Sequence, residues 1–323
     1  MPRRPPISST MMPTLSGFDA ASLCESLRAR LEQDFPQIIE QCPPDDYIAA
    51  LDSIEGYGGY REFGNEATRI AGRIEQLAGL PGIELYHRFV LARLMSRFER
   101  DGIRHALPAS VKDQYLIEFQ RIAKFMTVAR PGTYLPRNDG FCKDLAICRG
   151  KLLPCGAQLV DVRSGVPRRI LGGGGLGQAM AGAHFFGMRT GGFRPFYEMH
   201  LDPRAMSQFS PTGWDACYLR IAELLELNPE IRGVFGSSWW FDPEVERNSP
   251  TIAWLRRRPL DGGARVFRAG SGESAVNDAL KFSPQRKALY DAGRYEPTIW
   301  SMVWARSDLL AWAKSVRNPI QGR

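Results

Sequence analysis

The stretch FYEMHLDPRAMSQFSPTGWDACYLRIAELLELNPEIRGVFGSS, residues 196–238, decides the fold. Residues 196–201 predict a strand, because aromatic and apolar side chains fill a short run there. Residues 213–227 carry apolar side chains at helical spacing and predict an amphipathic helix. Residues 231–243 predict a second strand that ends in polar and aromatic residues before a proline. The unit strand, helix, strand indicates a sheet with helices packed against it.

Further strands and helices follow on both sides of this unit. Residues 156–171 predict two short strands about a turn at Ser164 and Gly165, and residues 172–192 predict a flexible, small-residue connector. Residues 263–270 and 297–305 predict strands, and residues 250–258, 274–292 and 307–316 predict helices. We therefore expect an α+β fold, in which a mixed, mainly antiparallel sheet is flanked by helices.

The chain before this sheet is mostly helical. Apolar residues at helical spacing predict helices over 19–36, 66–79, 84–101 and 110–129. The composition changes after Pro131 and Gly132, so we predict a disordered tail (1–15), a helical N-terminal region (16–135) and an α/β domain (136–323). His87 and His105 lack a second ligand at helical spacing, and we predict that each lies on a helix surface or boundary.

Composition excludes several classes of protein. The 323 residues are 44% hydrophobic and 24% charged, which is a globular composition. Six cysteines are few for this length, and we expect reduced thiols in a cytoplasmic protein. The first residues lack the apolar core of a secretion signal, and no run of about 18 apolar residues predicts a membrane span.

Positive charge is concentrated in the second half of the chain. Residues 1–140 carry 17 Lys and Arg against 18 Asp and Glu, whereas residues 141–323 carry 25 against 17. A positive field attracts anions such as phosphorylated cofactors, although a basic soluble surface has the same composition. No tract or spacing typical of a nucleic-acid-binding module is present in the sequence. We expect a small-molecule substrate and no specific binding of nucleic acid. The question of a homodimer stays open.

The glycine-rich run 172–177 fits a phosphate-binding pattern. Gly172, Gly174 and Gly177 satisfy G-x-G-x-x-G, the fingerprint of dinucleotide-binding loops. Such a loop also needs a hydrophobic strand directly before it and an acidic residue about 20 positions later. Here the preceding run contains Arg168 and Arg169, and the next acid is Glu198. A flexible connector is the favoured interpretation of the run.

Arg169, Gly172 and Gly174 also fit R-x-x-G-x-G/A, and the chain resembles the GNAT-type N-acyltransferases in this motif and in the strand and helix order of residues 155–310. The resemblance implies that these residues hold the pyrophosphate of coenzyme A. In that family the motif follows the fourth strand, whereas here the matching strand, 196–201, comes after the glycines. Either the phosphate loop diverges or the ligand is not coenzyme A. In a divergent loop, the resemblance implies phosphate binding by residues after that strand: Arg204, Ser210, Gly213 and Arg220.

Glu198 and His200 are the candidate catalytic residues. They alternate along one predicted strand, so their side chains share a face, and a carboxylate beside an imidazole can act as a general base. The other interpretation is a hydrogen-bonded pair with a structural role. The polar and aromatic residues after the next strand predict a substrate pocket, namely Ser237, Ser238, Trp239, Trp240 and Asp242.

Other catalytic patterns are missing from the sequence. The G-x-S-x-G motif of α/β-hydrolases does not occur, and the spacing of Cys142, Cys148 and Cys155 does not match zinc or iron–sulfur sites, so we predict no metal. The resemblance implies an acyltransferase that moves an acyl group from coenzyme A or a carrier protein to an amine or similar nucleophile. The alternatives are a non-enzymatic protein that binds an anionic ligand or a protein, and a nucleotide-dependent oxidoreductase.

Overall fold

A computed structural model describes residues 19–53, 59–101 and 106–318. The N-terminal part is helical, as predicted. Its helices are α1 (Ala20–Asp34), α2 (Pro36–Gln41), α3 (Pro44–Asp52), α4 (Gly64–Asp101), α5 (Ala109–Val128) and α6 (Asp139–Cys148). The predicted tail, 1–15, and His105 lie outside the described residues.

Local chemistry sets the bounds of these helices. Asp19 caps α1, because its carboxylate accepts hydrogen bonds from the amides of Ala21 and Ser22. Helix α4 is interrupted at Gly79, whose φ of 63° is a left-handed conformation that favours glycine. The break separates the two helices that the sequence predicts there. Helices α2 and α3, which begin at prolines, and helix α6 were not predicted.

One six-stranded sheet carries the second half of the chain. Its strands are β1 (Leu152–Pro154), β2 (Gln158–Ser164), β3 (Phe196–Leu201), β4 (Gly233–Ser238), β5 (Arg265–Ser271) and β6 (Thr298–Ala305), in the order β1-β2-β3-β4-β6-β5. The helices of this half are α7 (Gly175–His184), α8 (Pro211–Leu227), α9 (Val245–Asn248), α10 (Trp254–Asp261), α11 (Glu273–Leu280), α12 (Pro284–Asp291) and α13 (Arg306–Arg317). Only β3 and β4 pair in parallel, so the predicted α+β fold with a mainly antiparallel sheet is confirmed.

The parallel pair at the centre of the sheet is short. Strands β3 and β4 are in register only at Tyr197 with Val234 and at Glu198 with Phe235. Beyond these positions β3 stays paired with β2 as far as Leu201, and β4 stays paired with β6 as far as Ser238. The two strands therefore separate toward their carboxyl ends, and we call this opening the split.

Over β4 and β6 the two faces of the sheet pack against different elements, whereas at β2 the large core also reaches the face of His200, whose partner Leu159 belongs to it. Tyr197, Val234 and Trp304 join a large core that includes α8 and the N-terminal helices. Phe196, Phe235, Phe267 and Val303 face the other way and pack in a second cluster with Phe185 and Phe186, in the π-helical turn after α7. Glu198 and His200 are on the same face as Phe196, because alternate residues of a strand share a face.

Three sequence predictions about local structure are wrong. Residues 166–171 do not form a strand, because Arg168–Leu171 is a 3-10 helix; β2 pairs instead with β1, which precedes it. Residues 172–192 are not a flexible connector, since they contain α7. His87 is not at a surface: its ring is fully buried, Nδ1 donates to the carbonyl oxygen of Tyr134 at 2.6 Å, and Nε2 accepts from the Tyr47 hydroxyl at 3.0 Å.

The segment around α7 covers the outer edge of β5. The side-chain amide of Gln178 bonds both backbone groups of Arg268, donating to its oxygen and accepting from its nitrogen at 2.9 Å in each case. A Cβ added at Gly173 would lie 2.0 Å from the carbonyl oxygen of Arg268. The glycine lets the chain approach the edge strand closely, and the edge is thereby protected from pairing with another chain.

Substituting Gly173 with alanine tests this close approach. We expect Gly173→Ala to lower the free energy of unfolding by about 1–3 kcal/mol, because the backbone of β5 must move away. Gly177→Ala is the matched control: no heavy atom lies within 4 Å of the added Cβ, and alanine in a helix raises stability by about 0.5–1 kcal/mol. Urea unfolding of both variants measures the difference, and equal effects would contradict the packing role of Gly173.

The buried His87 predicts a dependence of stability on pH. Burial lowers the pKa of His87 from 6.5 to about 4. Between these values the unfolded chain binds more protons than the folded chain, so the free energy of unfolding falls as the pH is lowered from 6.5 to 4. In His87→Gln, whose amide does not titrate, urea unfolding at several pH values should show a shallower decline. An unchanged decline would show that His87 is not its source.

Candidate active site

The split brings the two predicted catalytic residues opposite a pair of serines. Glu198 is in register with Phe235, so His200, two residues further along β3, is level with Ser237 on β4. The side chains of all three residues are on the sheet face that packs in the second core cluster. The hydroxyl oxygens of Ser237 and Ser301 are 2.7 Å apart, which ties β4 to β6 at this level.

Glu198 is half-buried and is held by β2. The hydroxyl of Ser164 donates to its Oε2 at 2.6 Å, and Asp161 is its partner across the antiparallel pair. Burial raises the pKa of Glu198 above its usual value, the Ser164 hydrogen bond lowers it, and the Asp161 charge raises it again. A carboxylate with a raised pKa is a better proton acceptor than an ordinary one.

His200 lies under residues from the N-terminal part of the chain. The ring of Tyr60 meets the imidazole edge-on, with centroids 5.0 Å apart, and the Lys143 ammonium donates to the neighbouring Leu201 carbonyl at 3.1 Å. Burial first, and then the charges of Lys143 and Arg61, lower the pKa of His200 to about 4. The imidazole is therefore neutral near pH 7, and its low pKa makes it a weaker proton acceptor than an ordinary histidine.

The two candidate bases are close to each other without a hydrogen bond between them. His200 Nε2 is 4.0 Å from Glu198 Oε2, and no hydrogen-bond partner for this nitrogen is found among the described residues. Buried polar atoms are normally paired, so an unpaired ring nitrogen beside the split suits a role with a bound group.

Gly236 and Met199 keep the other face of the split narrow. A Cβ added at Gly236 on β4 would lie 3.1 Å from the terminal methyl carbon of Met199 on β3. Met199 is thus the side chain that meets β4 where the strands separate. A methionine side chain is flexible, and it can move to admit a ligand at low cost.

The residues after Ser237 lie at the end of β4 and in the turn that follows it. Ser238 ends the strand, and Trp239 and Trp240 lie in a 3-10 turn. Trp239 packs in a third cluster with Val245 and Ala279, below the Arg286 guanidinium, which is 4.4 Å from the ring centroid. Asp242 accepts from the Thr298 hydroxyl at 2.5 Å and from the Glu244 amide at 2.9 Å. These contacts give Trp239 and Asp242 a structural role. Substrate binding by Ser238, Trp239, Trp240 and Asp242 stays a prediction.

The start of α8 follows the carboxyl end of β3. Ser210 caps the helix, and its hydroxyl accepts from the Gly213 amide at 3.1 Å. A Cβ at Gly213 would lie 2.2 Å from the Gln208 carbonyl oxygen, so the tight loop requires glycine there. Arg220 is two turns further along α8 and donates to the Cys155 carbonyl at 3.1 Å, at the turn between β1 and β2. The Gly213 amide is thus already bonded to Ser210, and Arg220 is bound to the backbone of the sheet. Phosphate binding by Ser210, Gly213 and Arg220 stays a prediction.

Arg204 is occupied by two buried carboxylates. Its guanidinium donates to Asp202 at 2.7 Å and to Asp144 at 2.7 Å, and Asp144 also accepts from Arg121 at 2.6 Å. Burial lowers the pKa of Arg204 and the two carboxylates raise it, so the pKa is above its usual value. The cluster joins α5 and α6 to the loop before α8. Phosphate binding by Arg204 stays a prediction, but its contacts fix the loop.

The structure does not bring the glycine motif to the split. Gly172 and Gly174 flank Gly173, which packs on Arg268 of β5, and Arg169 lies in the 3-10 helix before them. Strand β5 is separated from β4 by β6, which places it about 10 Å from β4 at ordinary strand spacing. The role of Arg169, Gly172 and Gly174 in cofactor binding stays a prediction.

Several site residues were missed by sequence reasoning. Ser164 and Asp161 on β2, Ser301 on β6, and Tyr60 and Lys143 in the N-terminal part all lie at the site described here. Strand pairing could have indicated the first three, once the register of β2 and β6 was known. Nothing local in the sequence links Tyr60 or Lys143 to β3.

Two further features lie outside this site. A cavity of about 920 Å³ is lined by residues of α7, β5 and α13, including Gln178, Val266 and Trp312, and it is on the far side of β6 from the split. Within the described ranges, no cluster of three or more His, Cys, Asp or Glu could hold a metal ion, and no helix has the length and hydropathy to cross a membrane.

The contacts of Arg204 predict that its loss affects folding. We expect Arg204→Met to lower the free energy of unfolding by about 3 kcal/mol, because Asp202 and Asp144 lose a partner inside the protein. Arg247→Met, at an exposed arginine that pairs with Glu244, is the control and should change stability by less than about 0.5 kcal/mol. Chemical denaturation compares the two. Unchanged stability in Arg204→Met would instead favour a role in ligand binding.

Comparisons with known proteins give similarity of structure only. No family model and no curated protein matches the chain. Similar solved structures include an acyltransferase in complex with coenzyme A and 10C-teicoplanin, at a TM-score of 0.44, and an acyltransferase in complex with decanoyl-CoA and teicoplanin, also at 0.44. An acyltransferase mutant in complex with octanoyl-CoA gives 0.46. Each is 15% identical to this chain, over 87% of this chain and 87% of the other.

Proposed function

We propose that the protein is an acyltransferase of the GNAT type, which moves an acyl group from an acyl thioester to an amine or a similar nucleophile. The observation that carries the proposal is the split between β3 and β4, with the start of α8 at the carboxyl end of β3. Ligands of open sheets that contain parallel strands bind at the carboxyl ends of those strands. The splayed central strand that the resemblance implies is therefore supported by the observed register.

The split suits an extended thioester. Where β3 and β4 separate, the facing edges of residues 199–201 and 236–238 no longer pair with each other. Amide groups on a strand edge can bond the amide groups of a pantetheine arm as a further strand would. A backbone N–H in the same edge can polarise the thioester carbonyl and stabilise the charge that develops on its oxygen. The phosphates of coenzyme A would then lie near Ser210 and Gly213, at the positive end of the helix dipole.

The chemical step needs one proton acceptor. The nitrogen of a neutral amine attacks the thioester carbon, and the carbon–sulfur bond breaks as the amide bond forms. The amine proton passes to the protein, and the departing thiolate takes up a proton to become a thiol. Of the two candidate bases beside the split, Glu198, whose pKa is raised, is the stronger proton acceptor, and His200, whose pKa is lowered, is the weaker one. Either could take the amine proton directly or through a water molecule.

The two parts of the chain have separate roles in this proposal. The α/β domain, 136–323, carries the split and both candidate bases. The helical region, 16–135, covers the site from one side, because Tyr60 packs on His200 and donates at 2.7 Å to Asp139 of α6. This cover limits the access of water to the reacting groups, which are still 22% (His200) and 32% (Glu198) exposed, and partial burial strengthens the electrostatic interactions there.

Ligand-induced stabilisation tests the co-substrate. We expect acetyl-CoA or a longer acyl-CoA to raise the melting temperature of the purified protein. A ligand at about a hundred times its Kd adds nearly 3 kcal/mol to the free energy of unfolding. Nicotinamide dinucleotides and a chelator complete the panel, and they should give no shift. Stabilisation by a dinucleotide alone would favour the oxidoreductase, and no shift with any thioester would overturn the proposal.

Turnover tests the candidate bases. We expect release of free coenzyme A from the stabilising acyl-CoA, in the presence of a panel of amines. Removal of a general base typically lowers the rate by roughly a hundredfold to ten-thousandfold, and we expect such a loss in Glu198→Gln or His200→Ala. Glu25→Gln, at an exposed position of α1, is the control. Thioester binding without turnover in the unsubstituted protein would favour the non-enzymatic alternative.

A further inference from the structure

Helix α7 and the turn after it expose an unusual amount of apolar surface. Leu176, Met180 and Met188 are 78%, 67% and 75% exposed, within 13 residues of the chain. Leu176 and Met180 are four positions apart, and Ala183, also exposed, follows on the same side of the helix. We call these four residues the α7 surface. Monomeric soluble proteins seldom expose contiguous apolar patches without a function.

The α7 surface is held rigidly from below. Gln178 is bonded to the backbone of β5, and Gly182 packs so closely that an added Cβ would lie 2.4 Å from a methyl carbon of Leu171. Phe185 and Phe186 continue into the second core cluster. The side chains on the inward side of the segment are therefore packed or hydrogen-bonded. The outward apolar side chains belong to a fixed surface.

The segment that carries the α7 surface has only positive charges. Residues 162–197 include five arginines and no aspartate or glutamate. Arg168 and Arg169 are exposed on the 3-10 helix before α7, and Arg265 is exposed on the neighbouring strand β5. Arg189, after α7, is bound to Asp308 of α13. Arginines beside an apolar face are complementary to an anionic partner that accepts apolar side chains, and the acids near α7, Asp261 and Asp308, lie on its α13 side.

We propose that the α7 surface binds the face of an anionic lipid bilayer, with Leu176, Met180 and Met188 entering the boundary of the acyl chains and Arg168 and Arg169 pairing with lipid phosphates. The outward face between Leu176 and Met188 carries no Asp, Glu, Lys or Arg, and its exposed polar side chain is His184, whereas protein interfaces need several directed hydrogen bonds and favour aromatic anchors. A bilayer needs neither of these, and it matches apolar side chains flanked by arginines. This inference does not depend on the proposed function.

Vesicle co-sedimentation of the full chain tests the proposal. Binding to vesicles of phosphatidylcholine with phosphatidylglycerol should be strong, and binding to phosphatidylcholine alone should be much weaker. The double variant Leu176→Asp, Met180→Asp should lose at least about tenfold in affinity, because its apolar side chains no longer enter the bilayer. Phe282→Asp is the matched control, since Phe282 is 83% exposed outside the α7 surface and follows Lys281, and it should bind normally.

The charge of the arginines beside the α7 surface is tested separately. Arg168→Gln with Arg169→Gln should weaken binding on the order of thirtyfold at low salt, at about fivefold for each arginine near the membrane surface. Circular dichroism confirms that each variant is folded. Two results would overturn the proposal: equal binding of the Leu176 and Met180 double variant, or no binding of the unsubstituted chain to anionic vesicles. In the second case, self-association that the double variant abolishes would assign the surface to a second copy of this chain.

Discussion

The two-residue contact between β3 and β4 is the constraint around which the rest of the fold is arranged. A parallel pair needs a crossover, and α8 provides it by packing Trp214, Tyr218 and Ile221 into the large core. Because the pair is so short, the sheet is held together on both sides of the split by antiparallel pairs, β2 with β3 and β4 with β6. The hydroxyl pair of Ser237 and Ser301 adds a side-chain link on one side, and Ser164 with Glu198 adds one on the other. The opening is thus a stable feature of the sheet.

The ionic cluster around Asp144 fixes the orientation of the elements at this opening. Asp144 lies on α6, Arg121 on α5 and Arg204 in the loop that leads from β3 to α8. Buried charges of this kind contribute little net stability, but a missing partner is costly, so the cluster favours one arrangement of the three elements. The arrangement brings Lys143 of α6 to the end of β3, where it bonds the Leu201 carbonyl and lowers the pKa of His200. The helices before the sheet, α6 among them, therefore act on the electrostatics of the site as well as on its exposure to water.

Much of the fold could be predicted from the sequence, because its elements follow local patterns. The strand over 196–201 and the helix that ends at residue 227 depend on apolar spacing that tertiary contacts reinforce. The glycine run could not be predicted in this way: its helix has small side chains, and Gly173 packs against Arg268 of β5, nearly a hundred residues later. The shared face of Glu198 and His200 followed from strand alternation. Their neighbours Ser164, Ser301 and Tyr60 depend on register and on long-range packing, which a single sequence does not contain.

The arginines of the second half of the chain are of two kinds, some paired with acids and some exposed, which composition alone does not distinguish. Several arginines are paired with acidic side chains: Arg256 and Arg257 share Glu246, and Arg258 binds Asp215. The acid-free segment 162–197 keeps exposed arginines beside apolar side chains, so the attraction for anions is concentrated there. This segment packs on the sheet face that also carries Glu198 and His200. The α7 segment and the two candidate bases thus share one face of the sheet, with β4 and β6 between β3 and the β5 edge that α7 covers.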